Sequence, residues 1–216
     1  MTVIKHVIYD NGGSLSASDF QINVTGNNPE QSTFTGAESP GTTIRIDAGE
    51  YSVDETYVPG YGKKLSEDCS GTINDGDSKV CTITNDDIAP SLTLTKEMNI
   101  KYGGTAVADS WTLTATGPTT ISENGSVSSG ATFKAGEYVL TESGPYGYDR
   151  GSWICNEIPL DGNTINIGIG EDMICTITNS DIQPKLTVTK EVFGGDKSVS
   201  YFNLFVDSDS TTYPVI

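Results

Sequence analysis

The chain has one histidine among 216 residues and only 12 lysines and arginines against 29 aspartates and glutamates. A formal charge of −17 leaves no basic face for nucleic acid or an anionic membrane. No apolar run reaches the length needed to span a bilayer, so no membrane insertion is expected in this segment. A Ser-His-Asp arrangement is possible only around His6, and no nucleophile-elbow motif supports one. His6 instead reads as an exposed strand residue. With a single histidine a zinc site is not expected, and "NDGDSK" from Asn74 lacks the further ligands of a calcium loop, so it reads as a tight turn. No metal and no cofactor are expected. Apolar spacing of helical period is missing beyond two turns, and Met1 leads straight into a strand-like run without the regions of a signal peptide. That start fits a segment of a longer precursor.

What is present is repetition. "VIKHVIYDNGG" from Val3, "LTKEMNIKYGG" from Leu94 and "VTKEVFGG" from Val188 open three units. "FQINVTG" from Phe20, "WTLTATG" from Trp111 and "FNLFVDS" from Phe202 follow them. "AGEYSVDET" at Ala48 matches "AGEYVLTES" at Ala135, and "VCTITNDDIAPSLTLTK" at Val80 matches "ICTITNSDIQPKLTVTK" at Ile174. The period is 91 residues from Lys5 to Lys96 and 94 from Lys96 to Lys190, the size of a small β-sandwich. The predicted organisation is all-β: repeat 1 over residues 1–89, repeat 2 over 90–183, and the first strands of a third over 184–216. The linkers Asp86 to Pro90 and Asp181 to Pro184 are short, which predicts a semi-rigid rod.

Alternation along each strand assigns faces. Val3, Lys5 and Val7 share one face, as do Leu92, Leu94, Lys96 and Met98. Cys81, Ile83 and Asn85 align, and so do Cys175, Ile177 and Asn179; Tyr51, Val53 and Glu55 match Tyr138, Leu140 and Glu142. Each unit thus sets a lysine, a glutamate and an asparagine on otherwise apolar faces. The bland alternative is that all three lie at strand ends, where charged heads reach water.

The box "YSVDETYVPGYG" at Tyr51, with "YVLTESGPYGY" at Tyr138, resembles the Tyr-x-Leu-x-Glu-Thr-x-x-Pro-x-Gly-Tyr box of collagen-adhesin B-type domains, the transthyretin-like (prealbumin-like) modules of surface adhesins and pilins. "LTLTK" ending at Lys96 and "CTITN" ending at Asn85 and Asn179 are similar to that family's first- and last-strand patterns. The resemblance implies tandem transthyretin-like or Ig-like sandwiches in an extracellular stalk, adhesin or pilus at the cell surface. It also implies an autocatalytic isopeptide bond joining Lys5 to Asn85 with Glu55 assisting, and Lys96 to Asn179 with Glu142 assisting. Such a device acts once and is not an enzyme in the turnover sense. The cysteine pairs depart from the family pattern.

Cysteines occur two per repeat, and the pairings that stay within a repeat are Cys69 with Cys81 and Cys155 with Cys175. Each disulfide is expected to contribute about 3 kcal/mol in the chain-entropy model. Trp111, Trp153, Tyr146 and Tyr148 are read as core and turn-packing residues. Asn23 and Asn124 begin glycosylation sequons whose use depends on the host. Expected partners are neighbouring repeats or subunits of the same protein. The third-unit strands either stop inside a further domain of a longer chain or complete a neighbouring subunit by strand donation. The alternative function is a module recognising a host or matrix ligand, protein or glycan, through exposed loops, with the longer stretch between Cys155 and Cys175 as its pointer.

Overall fold

The computed structural model describes residues 1–208 and 211–214. The positions of the third unit at 209, 210, 215 and 216 lie outside the described residues. The chain divides into two compact units, Met1–Ile182 and Gln183–Ile216. Apart from short 3-10 turns, the described residues form strands joined by turns and loops.

In the first repeat the strands are β1 (Thr2–Ile8), β2 (Gln21–Asn27), β3 (Thr33–Thr35), β4 (Thr42–Thr43), β5 (Asp47–Glu55), β6 (Tyr61–Leu65), β7 (Ser70–Ile73) and β8 (Val80–Asp87). They form two four-stranded sheets, ordered β4-β1-β8-β6 and β3-β2-β5-β7. The second repeat runs β9 (Ser91–Asn99), β10 (Thr112–Thr116), β11 (Ile121–Asn124), β12 (Ser126–Ser128), β13 (Gly136–Ser143), β14 (Tyr148–Cys155), β15 (Ile158–Pro159), β16 (Thr164–Ile167) and β17 (Asp172–Asp181). Its sheets are β12-β9-β17-β14-β15 and β11-β10-β13-β16. The longer stretch between Cys155 and Cys175 builds the short extra edge strand β15.

Each pair of sheets closes over an apolar core. Val3, Ile22, Val24, Ile44, Tyr51, Val53 and Ile83 are buried in the first, and Leu92, Leu94, Leu113, Tyr138, Leu140, Trp153 and Ile177 in the second. These are the alternate residues of each strand, so period two places one face inside and leaves the threonines and charges in water. The first and last strands of a repeat run parallel and adjacent, Lys5 opposite Ile83 and Lys96 opposite Ile177. A parallel pair needs a long crossover, and here the crossover is nearly the whole repeat.

The two repeats meet at a joint built on one loop. Asn11 is buried and donates from Nδ2 to the carbonyl oxygens of Ala131 (3.3 Å) and Phe133 (3.2 Å). Its own carbonyl accepts from the Ala135 N–H at 2.7 Å. Gly12 holds φ +98, and a Cβ there would stand 2.9 Å from the Ala135 oxygen, so a side chain would meet the second repeat's backbone. Ile169 of the second repeat packs on the first repeat's Val7, Ala17, Phe20 and Tyr61.

In the unit from Gln183, a hairpin of β18 (Phe205–Ser208) and β19 (Thr211–Pro214) follows a 3-10 turn at Val199–Tyr201. The run "LTVTK" from Leu186 was expected as an opening strand and forms none. In the first two repeats that strand is held by the parallel last strand of its own repeat, and residues 183–216 contain no counterpart of it.

Candidate functional site

Between the two sheets of each repeat lies a buried polar cluster. In the first, Lys5 comes from β1, Glu55 from the end of β5 and Asn85 from β8; the side chains of Lys5 and Glu55 are 0% and 2% exposed. Asn85 stands opposite Val7, two residues beyond the partner of Lys5, so both side chains share the inner face. Lys5 Nζ lies 3.5 Å from Glu55 Oε2 and donates to the His6 carbonyl at 3.3 Å, while Asn85 Nδ2 donates to Glu55 Oε1 at 2.6 Å. In the second repeat Lys96 Nζ donates to Glu142 Oε2 at 2.7 Å and Asn179 Nδ2 to Glu142 Oε1 at 2.9 Å. The six residues predicted from alternation thus meet as two trios; Glu55 does end its strand, but its carboxyl and the Lys5, Lys96 and Glu142 heads are buried rather than in water.

Burial lowers the pKa of both lysines below the usual amine value, against the opposing pull of the glutamate beside each. An aromatic face covers each amine: Lys5 Nζ lies 4.1 Å from the Phe20 ring centre and Lys96 Nζ 5.0 Å from that of Trp111. The tyrosine that closes the glutamate box fixes each ring edge-on, Tyr61 against Phe20 at 5.4 Å and Tyr148 against Trp111 at 5.0 Å. Gly36 forms the remaining wall, where a Cβ would stand 2.7 Å from Lys5 Cγ. In the unit from Gln183 the same pairing recurs, with Lys190 Nζ 4.7 Å from the Phe202 ring centre. Among the described residues, the buried side-chain polar atoms without a hydrogen-bond partner include Asn85 Oδ1, Asn179 Oδ1 and Glu55 Oε2. Each asparagine therefore offers a desolvated carboxamide beside an amine and a carboxyl.

The sulfurs of Cys69 and Cys81 are bonded, as are those of Cys155 and Cys175. Cys155 and Cys175 face each other across β14 and β17, whereas Cys69 sits in a 3-10 turn beside the last strand. His6 is on the surface, bonded to Glu38 at 3.0 Å. The turn at Asn74 is tied by Asp77. Trp111 and Trp153 are buried, but Tyr146 is 101% exposed, a correction to its core reading: it sits at the tip of the loop after β13.

Two further residues were not singled out from the sequence. Asp87 and Asp181 follow the asparagines by two positions, face inward and are buried. Asp87 accepts from the backbone N–H groups of Asp10, Asn11 and Gly13, and Asp181 from those of Lys101, Tyr102 and Gly104. They fasten the loop that leaves the first strand, and in repeat 1 that loop carries the joint. The repeated Asn-x-Asp spacing was the available signal. Asp87 also lies near Asp10 and Asp86, but its oxygens are already occupied by N–H groups.

Burial opposes ionisation of Asp181, yet the backbone donors win and hold its carboxyl below the ordinary value of 3.8. A depressed carboxyl contributes stability above its unfolded pKa and loses it as pH falls through the folded one. The N–H resonances of Lys101, Tyr102 and Gly104 should therefore shift together with a common midpoint below pH 3.8. Asp181→Asn should abolish that titration; shifts that survive the substitution would refute the assignment.

Solved structures with a similar arrangement include the T-13 major pilin of Streptococcus pyogenes (13% identity, TM-score 0.41, 85% of this chain and 97% of that one). Others are the C-terminal fragment of the pilus adhesin SpaC of Lactobacillus rhamnosus GG (14%, 0.43, 86% and 99%) and the Bacillus anthracis TIE protein (17%, 0.47, 83% and 34%). No curated protein matches the chain. The family match covers residues 1–87 and again 86–177, and on it the chain belongs to the SpaA_2 family of prealbumin-like fold domains.

Proposed function

We propose that the chain is a load-bearing structural segment of an extracellular surface fibre, a pilus or adhesin stalk, in which each complete repeat closes itself with a Lys–Asn isopeptide bond. One observation carries this: the buried lysine, glutamate and asparagine that join the first and last strands in both repeats. The resemblance of the glutamate box and the family membership support it. The pilins and pilus adhesins of similar architecture make other subunits of the same fibre the expected partners.

The chemistry follows from the cluster. A neutral lysine amine attacks the asparagine Cγ; the new N–C bond forms as the bond to Nδ2 breaks, and ammonia leaves. The glutamate, reacting in its acid form, polarises the carboxamide and relays one proton from the amine to the leaving nitrogen. A carboxamide turned to present Oδ1 to Glu55 occupies the same volume, and the 2.6 Å contact then requires a proton on the glutamate.

Intact mass of the purified, non-reduced chain tests the reading. We expect the loss of two ammonias, with Lys5 linked to Asn85 and Lys96 to Asn179. Glu55→Ala should restore one ammonia and Glu142→Ala the other. A wild-type chain of full amide mass would sink it, leaving the trios as hydrogen-bonded polar clusters. A second reading, recognition of a host or matrix ligand through loops, is favoured by Tyr57 and Tyr146, both exposed and both in the turn that follows the assisting glutamate.

A further inference from the structure

The two clusters share their residues but not their surroundings. The strand that flanks the asparagine carries Lys63 opposite Asn85 in β6 and Arg150 opposite Asn179 in β14. The Lys63 ammonium turns outward and pairs with Asp54. The Arg150 side chain is half exposed, but its head reaches back to the cluster. Its Nε lies 3.7 Å from Glu142 Oε1, the oxygen that accepts from Asn179 and points away from Lys96, which holds Oε2. The groups facing Glu142 are therefore Lys96 from β9, Arg150 from β14 and the uncharged Asn179 from β17, with Leu113 opposite it in β10.

The isopeptide reaction needs the pair in its neutral form, amine beside carboxylic acid. Ionic and neutral pairs carry the same net charge and differ by the position of one proton. A fixed cation nearer the carboxylate end stabilises the ionic form, and a guanidinium does not lose its proton at working pH. Among the described residues Lys5 is the only cation within ion-pair distance of Glu55, whose Oε2 has no hydrogen-bond partner.

We propose that Arg150 is a positioning residue that stabilises the Lys96–Glu142 ion pair and so delays the second repeat's isopeptide bond, making the repeats close in order from the first to the second. This rests on the cross-linking reading above. The attack itself is unchanged: Lys96 Nζ bonds Asn179 Cγ, Nδ2 departs as ammonia, and Glu142 carries the proton across. Arg150 alters only how often the pair is neutral. The second link should therefore lag the first.

The experiment is cell-free synthesis of the full chain, sampled over time, with each link quantified by peptide mass mapping. In wild type the Lys5–Asn85 link should form first. Arg150→Gln should bring Lys96–Asn179 forward to the pace of Lys5–Asn85, while Arg150→Lys, which keeps a cation, should retain most of the lag. Faster linkage cannot arise from a loosened repeat, so the direction separates this role from a merely structural one. Links forming in step in wild type, or a lag unmoved or lengthened in Arg150→Gln, overturn the proposal while leaving the cross-linking intact. Absence of both links in every variant removes the cross-linking reading, and the delay with it.

Discussion

Pulled from its two ends in a force spectrometer, the linked chain should show no unfolding step from its first repeat, whereas Glu55→Ala should release roughly 240 Å of chain there. Tension enters the repeat along β1 and leaves along β8, which lie side by side and parallel from Thr2 opposite Val80 to Ile8 opposite Asp86. Without a covalent link, that ladder of hydrogen bonds is loaded in shear and every residue behind it is released when it parts. With Lys5 joined to Asn85, tension crosses between the strands through two side chains, and the 79-residue stretch between them carries none. The released length is shorter than that stretch because the Cys69–Cys81 bond withholds 12 residues. Reduction should add roughly 40 Å in Glu55→Ala and nothing in the linked chain. A full-length release from wild type would contradict the load path.

The disulfides and the proposed isopeptides therefore do different work. Each disulfide ties the last strand to the segment before it, within a separation of 12 or 20 residues, and lies outside the linked load path. It stabilises the repeat by about 3 kcal/mol against thermal unfolding, chiefly by restricting the unfolded chain. It cannot resist end-to-end tension, since neither cysteine is on the first strand.

Much of this site was legible because strand side chains alternate with period two. Parity alone turned Lys5, Glu55 and Asn85 inward, and the repeat gave Lys96, Glu142 and Asn179 the same sense. Parity could not say which strands are neighbours. The parallel pairing of β1 with β8 is a contact across the whole repeat, and no local pattern encodes it. Asp87 and Asp181 obey the same alternation, but their partners are backbone N–H groups of a distant loop, which have no side-chain signature. Arg150 escaped for another reason: β14 slips its register between Arg150 and Trp153, so counting outward from the buried tryptophan gives the wrong face. The exposure of Tyr146 went unread because a loop tip has no period at all.

Among unlinked variants the buried charge, not the missing bond, should rank stability: Glu55→Ala should melt well below Lys5→Met although neither can form the isopeptide. In Glu55→Ala the Lys5 amine stays sealed between Phe20 and Gly36 with no carboxylate, and removing one partner of a buried pair costs about 3–5 kcal/mol. In Lys5→Met an apolar chain of similar length fills the same space. Glu55 then keeps its bond from Asn85 Nδ2. A difference of about 2 kcal/mol between the two, or about 10 °C in Tm, is expected for a domain of this size. The pH dependence identifies the cause. Burial already lowers the Lys5 pKa from 10.5 with Glu55 present, and removing Glu55 takes away the group that raises it. Between the lowered folded value and 10.5 the unfolded chain binds more protons than the folded one, so stability rises with pH. Melting of Glu55→Ala should thus recover as pH climbs towards 10.5, and Lys5→Met should lack that recovery. Equal melting temperatures with parallel pH profiles would mean that Lys5 is not held as a buried amine.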